Sequence, residues 1–238
     1  MTNYFSSDFK LGILGGGQLG KMLLYETRKF DVQTFVMDPS EEAPCRISAN
    51  KFQKGDLMDY QTVLDFGRTV DLLTFEIEAV NVDALKKLEE EGKKVYPSFR
   101  TLELIQDKSI QKQFYQQNNI PTAPFQIFSS NGALEKAIEK GNVNFPFIWK
   151  SATGGYDGRG VMAVRSKEDL NEIPEGNCIA EELIPFKKEL AVIVARNPSG
   201  ETKTFPVVEM EFHPEANQVE YVICPARIDA SVAEKARK

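Results

Sequence analysis

The sequence holds a single histidine, His213, and three cysteines, Cys45, Cys178 and Cys224, far apart and with no C-x-x-C pair. One histidine excludes a multi-histidine metal cage. An odd, sparse set of cysteines excludes a disulfide scaffold and points to a reducing compartment. No apolar run approaches the ~18 residues that cross a bilayer. The polar start lacks the basic-then-apolar profile of a signal peptide, so the expected location is the cytoplasm, with no membrane partner. Basic residues are outnumbered, 29 Lys and Arg against 35 Asp and Glu, for a net charge of −6. That excludes a broad nucleic-acid platform and leaves room for a local basic pocket. Repeats and low-complexity segments are absent. With 42% hydrophobic and 27% charged residues, the 238-residue chain has the composition of one large or two small globular domains.

What is present falls into two textures. Leu11-Gly12-Ile13-Leu14 is a buried strand that stops at a glycine cluster, and after Gly17 the apolar positions Leu19, Met22 and Leu23 recur at helical spacing. Thr34-Phe35-Val36-Met37 and Asp71-Leu72-Leu73-Thr74-Phe75 read as further strands, the second followed by a helix carrying Val82, Leu85 and Leu88. Strands alternating with helices predict a doubly wound, Rossmann-like parallel sheet over residues 1–97. A helical stretch opens at Pro97-Ser98 and runs, in one or two pieces, to Asn118-Asn119; Pro121 and Pro124 mark a stiff connection. Beyond it strands dominate, at 125–128, 147–150, 161–165, 178–184, 189–196, 203–211 and 219–224, with a short helix over 133–139 and a capping-box pattern at Ser166 and Asp169. This is an α+β domain over 98–238. Asp229 opens a last helix that reaches Lys238 without a stop signal, so a further C-terminal part is expected.

Two glycine-rich loops carry chemistry. The first, Gly15-Gly16-Gly17-Gln18-Leu19-Gly20-Lys21, lies between a strand and a helix, where unpaired amides attract anions. Gly15, Gly17 and Gly20 fit G-x-G-x-x-G, with Asp38 placed to hold a ribose hydroxyl, as in an NAD-dependent oxidoreductase. A P-loop is rejected because Met22 has no hydroxyl for magnesium. A non-nucleotide phosphate, or a tight turn that needs glycine only for close packing, fits the same residues. The second loop, Thr153-Gly154-Gly155-Tyr156-Asp157-Gly158-Arg159-Gly160, offers a backbone able to lie over phosphates, with Arg159 as a charged fork. Lys150 closes the apolar strand before it, where an ammonium needs an anionic partner. The alternative is a flexible hairpin tip with a surface arginine. Glu181-Glu182-Leu183-Ile184, at a strand end before Pro185, fits an adenine and ribose contact or an edge strand with surface acids. Glu209 and Glu211 share a strand face that could approach a cation or base, or simply be wet. His213, beside Pro214, reads as a surface residue. There is no Ser/His/Asp or Cys/His nucleophile.

Taken in order, Gly15 to Met22, Thr74-Phe75-Glu76-Ile77-Glu78, Pro121-Thr122-Ala123-Pro124 and the second loop resemble the 5-(carboxyamino)imidazole ribonucleotide synthases, ATP-grasp enzymes of de novo purine biosynthesis. The resemblance covers essentially the whole chain. It implies a Rossmann-like domain followed by an ATP-grasp domain, and the ATP-dependent carboxylation of 5-aminoimidazole ribonucleotide with bicarbonate, releasing ADP and phosphate. Other carboxylate–amine ligases share that scaffold. Carried over by motif, Lys108 and Lys150 contact the nucleotide, and Gly155, Tyr156, Asp157, Gly158, Arg159, Gly160 and Val161 form the phosphate lid. Lys150 and Arg159 bear the catalytic charge. Glu181, Glu182, Leu183 and Ile184 match the adenine segment, Glu189 the ribose acid and Glu209 a further nucleotide position. Gly17, Gln18 and Leu19, with Glu76, match the region facing the ribonucleotide substrate. Ala79 stands where the family usually has asparagine, and Lys108 where arginine is commoner, which keeps charge but loses the fork. The resemblance also implies magnesium, whose acidic ligands are expected beyond Lys238, so no metal ligand is assigned within the chain and the 238 residues are not expected to be catalytically complete. A homodimer is the expected assembly. The chemistry suits a glycine lid: bicarbonate must be phosphorylated to become electrophilic, and the short-lived carboxyphosphate must be kept from water.

Overall fold

The computed structural model describes residues 4–155, 160–213 and 218–238. The chain divides into two units, Met1–Ile120 and Pro121–Lys238.

In the first unit β1 (Lys10–Leu14), α1 (Gln18–Thr27), β2 (Gln33–Asp38), β3 (Lys51–Lys54), α2 (Tyr60–Arg68), β4 (Leu72–Phe75), α3 (Val82–Glu90) and β5 (Lys94–Val95) alternate. They build a five-stranded sheet in the order β3-β2-β1-β4-β5, parallel throughout. Successive side chains of a strand leave on opposite faces, and here both faces are buried. Ile13 and Val36, paired in register, pack with Leu24 and Cys45 on one face. Leu14 and Met37, the next pair, join Leu73, Val63, Phe66, Leu85 and Leu88 on the other. Helices start where a side chain can satisfy their first amides. Asp59 accepts from Thr62 N at 2.8 Å to open α2, and Asn81 from Ala84 N at 2.9 Å to open α3. The stretch after β5 forms two helices, α4 (Phe99–Gln106) and α5 (Lys108–Gln117), separated by Asp107, whose carboxylate accepts from Ser109 N at 2.7 Å.

The second unit comprises β6 (Phe125–Phe128), α6 (Asn131–Glu139), β7 (Phe147–Ser151), β8 (Val161–Val164), β9 (Cys178–Glu182), β10 (Glu189–Ala191), β11 (Val194–Arg196), β12 (Thr202–Thr204), β13 (Val208–Phe212), β14 (Val219–Ile223) and α7 (Ala230–Ala236). An antiparallel sheet β6-β9-β7-β8 packs one face, with Phe147, Trp149, Val164, Cys178 and Ala180, against Leu134 and Ala137 of α6. β10-β13-β14 form a three-stranded sheet and β11-β12 a hairpin. Two long strands expected from the sequence are therefore each divided. Over 189–196 the chain leaves β13 and pairs with β12 instead. Over 203–211 Pro206, which has no N–H to donate to a ladder, lies where the chain breaks between β12 and β13. The pattern at Ser166 opens only a 3₁₀ turn, Glu168–Glu172. Half of the capping box is present, with Asp169 Oδ2 accepting from Ser166 N at 3.0 Å and Arg165 N at 2.7 Å.

α2 and α3 touch closely at Gly67. A Cβ there would overlap Leu88 Cδ1 and lie 2.9 Å from Leu88 Cδ2, and Leu88 is fully buried. Gly67→Ala is expected to destabilise the protein by about 1–3 kcal/mol through overpacking, against the ~1 kcal/mol that alanine's helix propensity supplies. A lower urea midpoint at unchanged slope is the expected result; an unchanged or raised midpoint would show that Leu88 yields freely.

Candidate functional site

In the first unit the site grows out of the C-terminal ends of parallel strands. β1 ends at Leu14, α1 starts at Gln18, and three glycines make the turn between them. Gly15 has φ +94°, a conformation closed to most side chains, and a Cβ on it would fall 2.7 Å from Glu76 Oε1. On Gly20 it would come within 3.1 Å of both Cys45 Sγ and the Gly15 carbonyl. The loop amides are already engaged. Gly16 N–H donates to Asp38 Oδ2 at 2.7 Å and Gly17 N–H to Glu76 Oε1 at 2.8 Å.

This arrangement decides against the dinucleotide reading. Two carboxylates stand where a pyrophosphate would need those amides, and they repel it. Asp38 is not turned out toward a ribose: its other oxygen accepts from Ser40 N at 2.8 Å. The structure thus brings Gly17 and Glu76 together, with Gln18 and Leu19 exposed at the start of α1 beside them. Beneath the loop Cys45 is fully buried. Burial, then the negative charges of Glu76 and Asp38, push its thiol up to about 11, so it stays protonated and unreactive. Lys108 is the first residue of α5, half-buried, also in this unit.

In the second unit the four-stranded sheet turns one face to α6 and the other away from it. Trp149 pairs with Ala180 on the core side, which places Lys150 and Glu181 on the opposite face. They are diagonal cross-strand neighbours, and Lys150 Nζ lies 2.8 Å from Glu181 Oε2. The anionic partner that Lys150 needs is thus within the chain. Glu181 is only 5% exposed, whereas more than a quarter of the Lys150 side chain reaches solvent. Pairing at this depth orients the two side chains against each other.

The glycine loop joins β7 to β8 directly beyond this pair. Ser151 N–H donates to Gly160 O at 2.8 Å, closing the base of the hairpin. Gly154 and Gly160 both have positive φ, +75° and +72°, and a Cβ on Gly160 would lie 3.2 Å from Gly155 Cα. Val161 opens β8. Tyr156, Asp157, Gly158 and Arg159 lie outside the described residues. After β9, Glu182 is exposed and its amide donates to Pro124 O at 2.9 Å; Leu183 is half-buried and Ile184 exposed.

The remaining candidates occupy the three-stranded sheet. Glu189 pairs with Met210 and Leu190 with Glu209, so Glu189 and Glu209 leave the sheet on opposite faces. Glu209 is 3% exposed and surrounded by cations. Lys188 Nζ donates to Oε1 at 2.5 Å, Arg227 Nη2 to Oε1 at 2.9 Å and Arg227 N to Oε2 at 3.1 Å. Glu211 also accepts from Arg227 Nη2. These bonds hold the Glu209 carboxyl down at about 2 and raise Arg227 above its ordinary range. The carboxylates that could have approached a cation are already neutralised by Lys188 and Arg227. Among the described residues no cluster of three His, Cys, Asp or Glu side chains could hold a metal ion. Neither Lys188 nor Arg227 stood out in the sequence, although an acid flanked by apolar Val207, Val208 and Met210 implies a buried counter-charge.

Because Glu209 is held near 2 against an ordinary 4.5, its contribution to stability is present above about pH 4.5 and is lost as pH falls from there toward 2. Glu209→Gln is expected to lower Tm at pH 7, with the gap to the parent protein narrowing between pH 5 and 2. A gap that stays constant over that interval would refute the assignment.

The sequence matches the ribonucleotide synthetase preATP-grasp domain over residues 9–106 and the ATP-grasp domain over residues 113–238. The N5-carboxyaminoimidazole ribonucleotide synthase of Staphylococcus epidermidis is 36% identical over 227 residues, covering 92% of this chain and 58% of the relative. An N5-carboxyaminoimidazole synthetase of Staphylococcus aureus, solved with ADP, superposes with a TM-score of 0.88 at 32% identity, over 98% of this chain and 62% of its own. The corresponding synthase of Aspergillus clavatus, solved with ADP and 5-aminoimidazole ribonucleotide, gives 0.86 at 31% identity over 98% and 61%. The chain therefore spans about three-fifths of the length of these relatives. No helix among the described residues is long and apolar enough to cross a membrane. With the ATP-grasp match alone extending over more than half of its residues, the chain belongs to the ATP-grasp family.

Proposed function

We propose that this chain carries the ribonucleotide-facing and nucleotide-binding parts of a 5-(carboxyamino)imidazole ribonucleotide synthase, which uses ATP and bicarbonate to carboxylate 5-aminoimidazole ribonucleotide. The observation that carries the reading is the Lys150–Glu181 pair, set on the face of the sheet away from α6 and next to a glycine hairpin, in a chain that aligns over almost its whole length with proteins of that name.

In this reading an oxygen of bicarbonate takes the γ-phosphoryl group of ATP, the bond to ADP breaks, and carboxyphosphate forms. The exocyclic amine of the ribonucleotide then makes the new N–C bond, losing a proton as phosphate leaves. Such chemistry asks for placement and charge rather than for a covalent nucleophile. Lys150 supplies a fixed positive charge to the transferring phosphoryl, and Glu181 holds that ammonium in place. Arg159 and the residues from Gly155 to Val161 contact the phosphates, Lys108 adds charge to the nucleotide, Glu181 to Ile184 and Glu189 meet its base and sugar, and Glu209, on the other face of its sheet, acts on the nucleotide site only through the cations it holds. Gly17, Gln18, Leu19 and Glu76 face the ribonucleotide. Magnesium accompanies ATP in this reading. With Glu209 and Glu211 bound to Arg227, no residue of the chain is assigned to the metal. A cytoplasmic homodimer belongs to the same reading and rests on the family likeness alone.

In the full-length protein, ADP release is expected to require both 5-aminoimidazole ribonucleotide and bicarbonate. Lys150→Ala is expected to weaken ATP binding by at least tenfold, since it removes the charge and leaves Glu181 buried without it. ADP release indifferent to the ribonucleotide, or tight NADH binding without ATP binding, would overturn the reading.

A further inference from the structure

Gln106, the last residue of α4, is absorbed by none of the roles above, yet it makes two good hydrogen bonds to one loop. Its Nε2 donates to Glu78 O at 2.6 Å and to Val80 O at 2.8 Å, using both amide hydrogens. These carbonyls flank Ala79, in the segment that links β4 to α3 and begins with Glu76. The segment is firmly held at its ends: Glu76 N–H donates to Leu14 O at 3.0 Å, and Asn81 N–H to Leu57 O at 2.8 Å. Between those anchors Ile77, Glu78 and Ala79 are exposed, and among the described residues their one backbone bond is Val80 N–H to Glu78 O at 2.9 Å. With alanine at 79, the exposed stretch has no side-chain amide of its own to brace it, and Asn81 at its end spends its amide on Met58 O and Ala84 N. α4 brings one.

We propose that Gln106 is a positioning residue for the ribonucleotide substrate: by bracing the 76–81 loop from behind, it keeps the Glu76 carboxylate seated over Gly17. This rests on the reading of the Gly17–Glu76 region as the face presented to 5-aminoimidazole ribonucleotide. The physical basis is the scarcity of other restraints. Glu76 Oε1 lies 2.8 Å from Gly17 N, and a surface loop released at its centre redistributes among conformers in which that bond is lengthened. Gln106 gives each of the two carbonyls a neutral donor, beside the Val80 N–H that Glu78 O already accepts, and losing both at once removes restraint without altering charge. Because Gln106 adjoins Asp107, the cap of α5, the brace also fixes the loop against the element that starts with Lys108. The effect predicted for the brace itself is confined to the ribonucleotide.

The test uses Gln106→Met, which keeps the length of the side chain and removes the donors, in the full-length protein. The expected result is a rise of about tenfold in KM for 5-aminoimidazole ribonucleotide, with kcat within about threefold and KM for ATP unchanged. Deuterium exchange should speed up in residues 76–81 and stay as in the parent protein in β1 and β4. Gln106→Asn, which keeps the amide but cannot reach, is expected to show the same split, and it serves if the methionine variant does not fold. A ribonucleotide KM within twofold of the parent value, or an equal rise in both KM values, would overturn the proposal. Absence of ribonucleotide-dependent turnover in the parent protein would instead strike the functional reading, leaving the exchange result to decide on the brace.

Discussion

A carboxylate inside a folded chain stays ionised only if something at hydrogen-bonding distance replaces the water it has lost. That constraint organises both units. In the second unit Glu181 and Glu209 are almost completely buried, one held by Lys150 and the other by Lys188 and Arg227. Each pair links segments distant in sequence: β7 to β9 in one case, and in the other the stretch before β10 to β13 and to the turn after β14. These ion pairs therefore tie strands of one sheet to each other and to the turn that follows it, and removing a basic partner takes a restraint from a carboxylate that is almost completely buried.

The first unit solves the same problem with backbone amides. Asp38 and Glu76 stand at the C-terminal ends of β2 and β4, beside the turn that leaves β1, and Gly16 and Gly17 supply their hydrogen bonds. In an open parallel sheet this crevice is where ligands bind. Filling its amides with carboxylates changes what the crevice accepts: a phosphate meets negative charge, whereas a group bearing N–H or O–H donors finds acceptors. The glycines serve this arrangement by letting Glu76 come close, as the contacts of a Cβ at Gly15 show. The spacing G-x-G-x-x-G thus reports tight packing between turn and carboxylate, and the same three glycines that suggested a dinucleotide make room for an anion that repels one.

How far this was legible in the sequence depends on the kind of signal. β1, β2 and β4 were visible because a strand buried on both faces leaves a continuous apolar run, and the parallel sheet follows from their alternation with helices. β3 and β5 left no such trace: Lys51-Phe52-Gln53-Lys54 is a short edge with charged ends, and β5 is two residues long. The break between β10 and β11 was also hidden, since Leu190 to Val194 is uniformly apolar and nothing in it marks a change of partner. Lys150 and Glu181 were each singled out, but their contact was not, because pairing across β7 and β9 is fixed by register rather than by spacing along the chain. Lys188, Arg227 and Gln106 were missed for the same reason: each acts through a segment remote in sequence.

The Lys150–Glu181 geometry also bears on how a site can hold a mobile anion without wasting charge. An ammonium left alone beside an apolar sheet would lower its own pKa and lose the charge it is there to supply. A fully buried ion pair would be inert. Here the burden is split unequally, the acid almost dry and the base partly wet, so Glu181 fixes one of the three Lys150 protons and the others remain available on the solvent side. In the reading proposed above, an arriving phosphate oxygen meets a cation already oriented and partly desolvated, and adds a second negative partner without having to displace the first. The pairing is thus a structural tie which, in that reading, also keeps the charge in place before the ligand arrives, as electrostatic preorganisation requires.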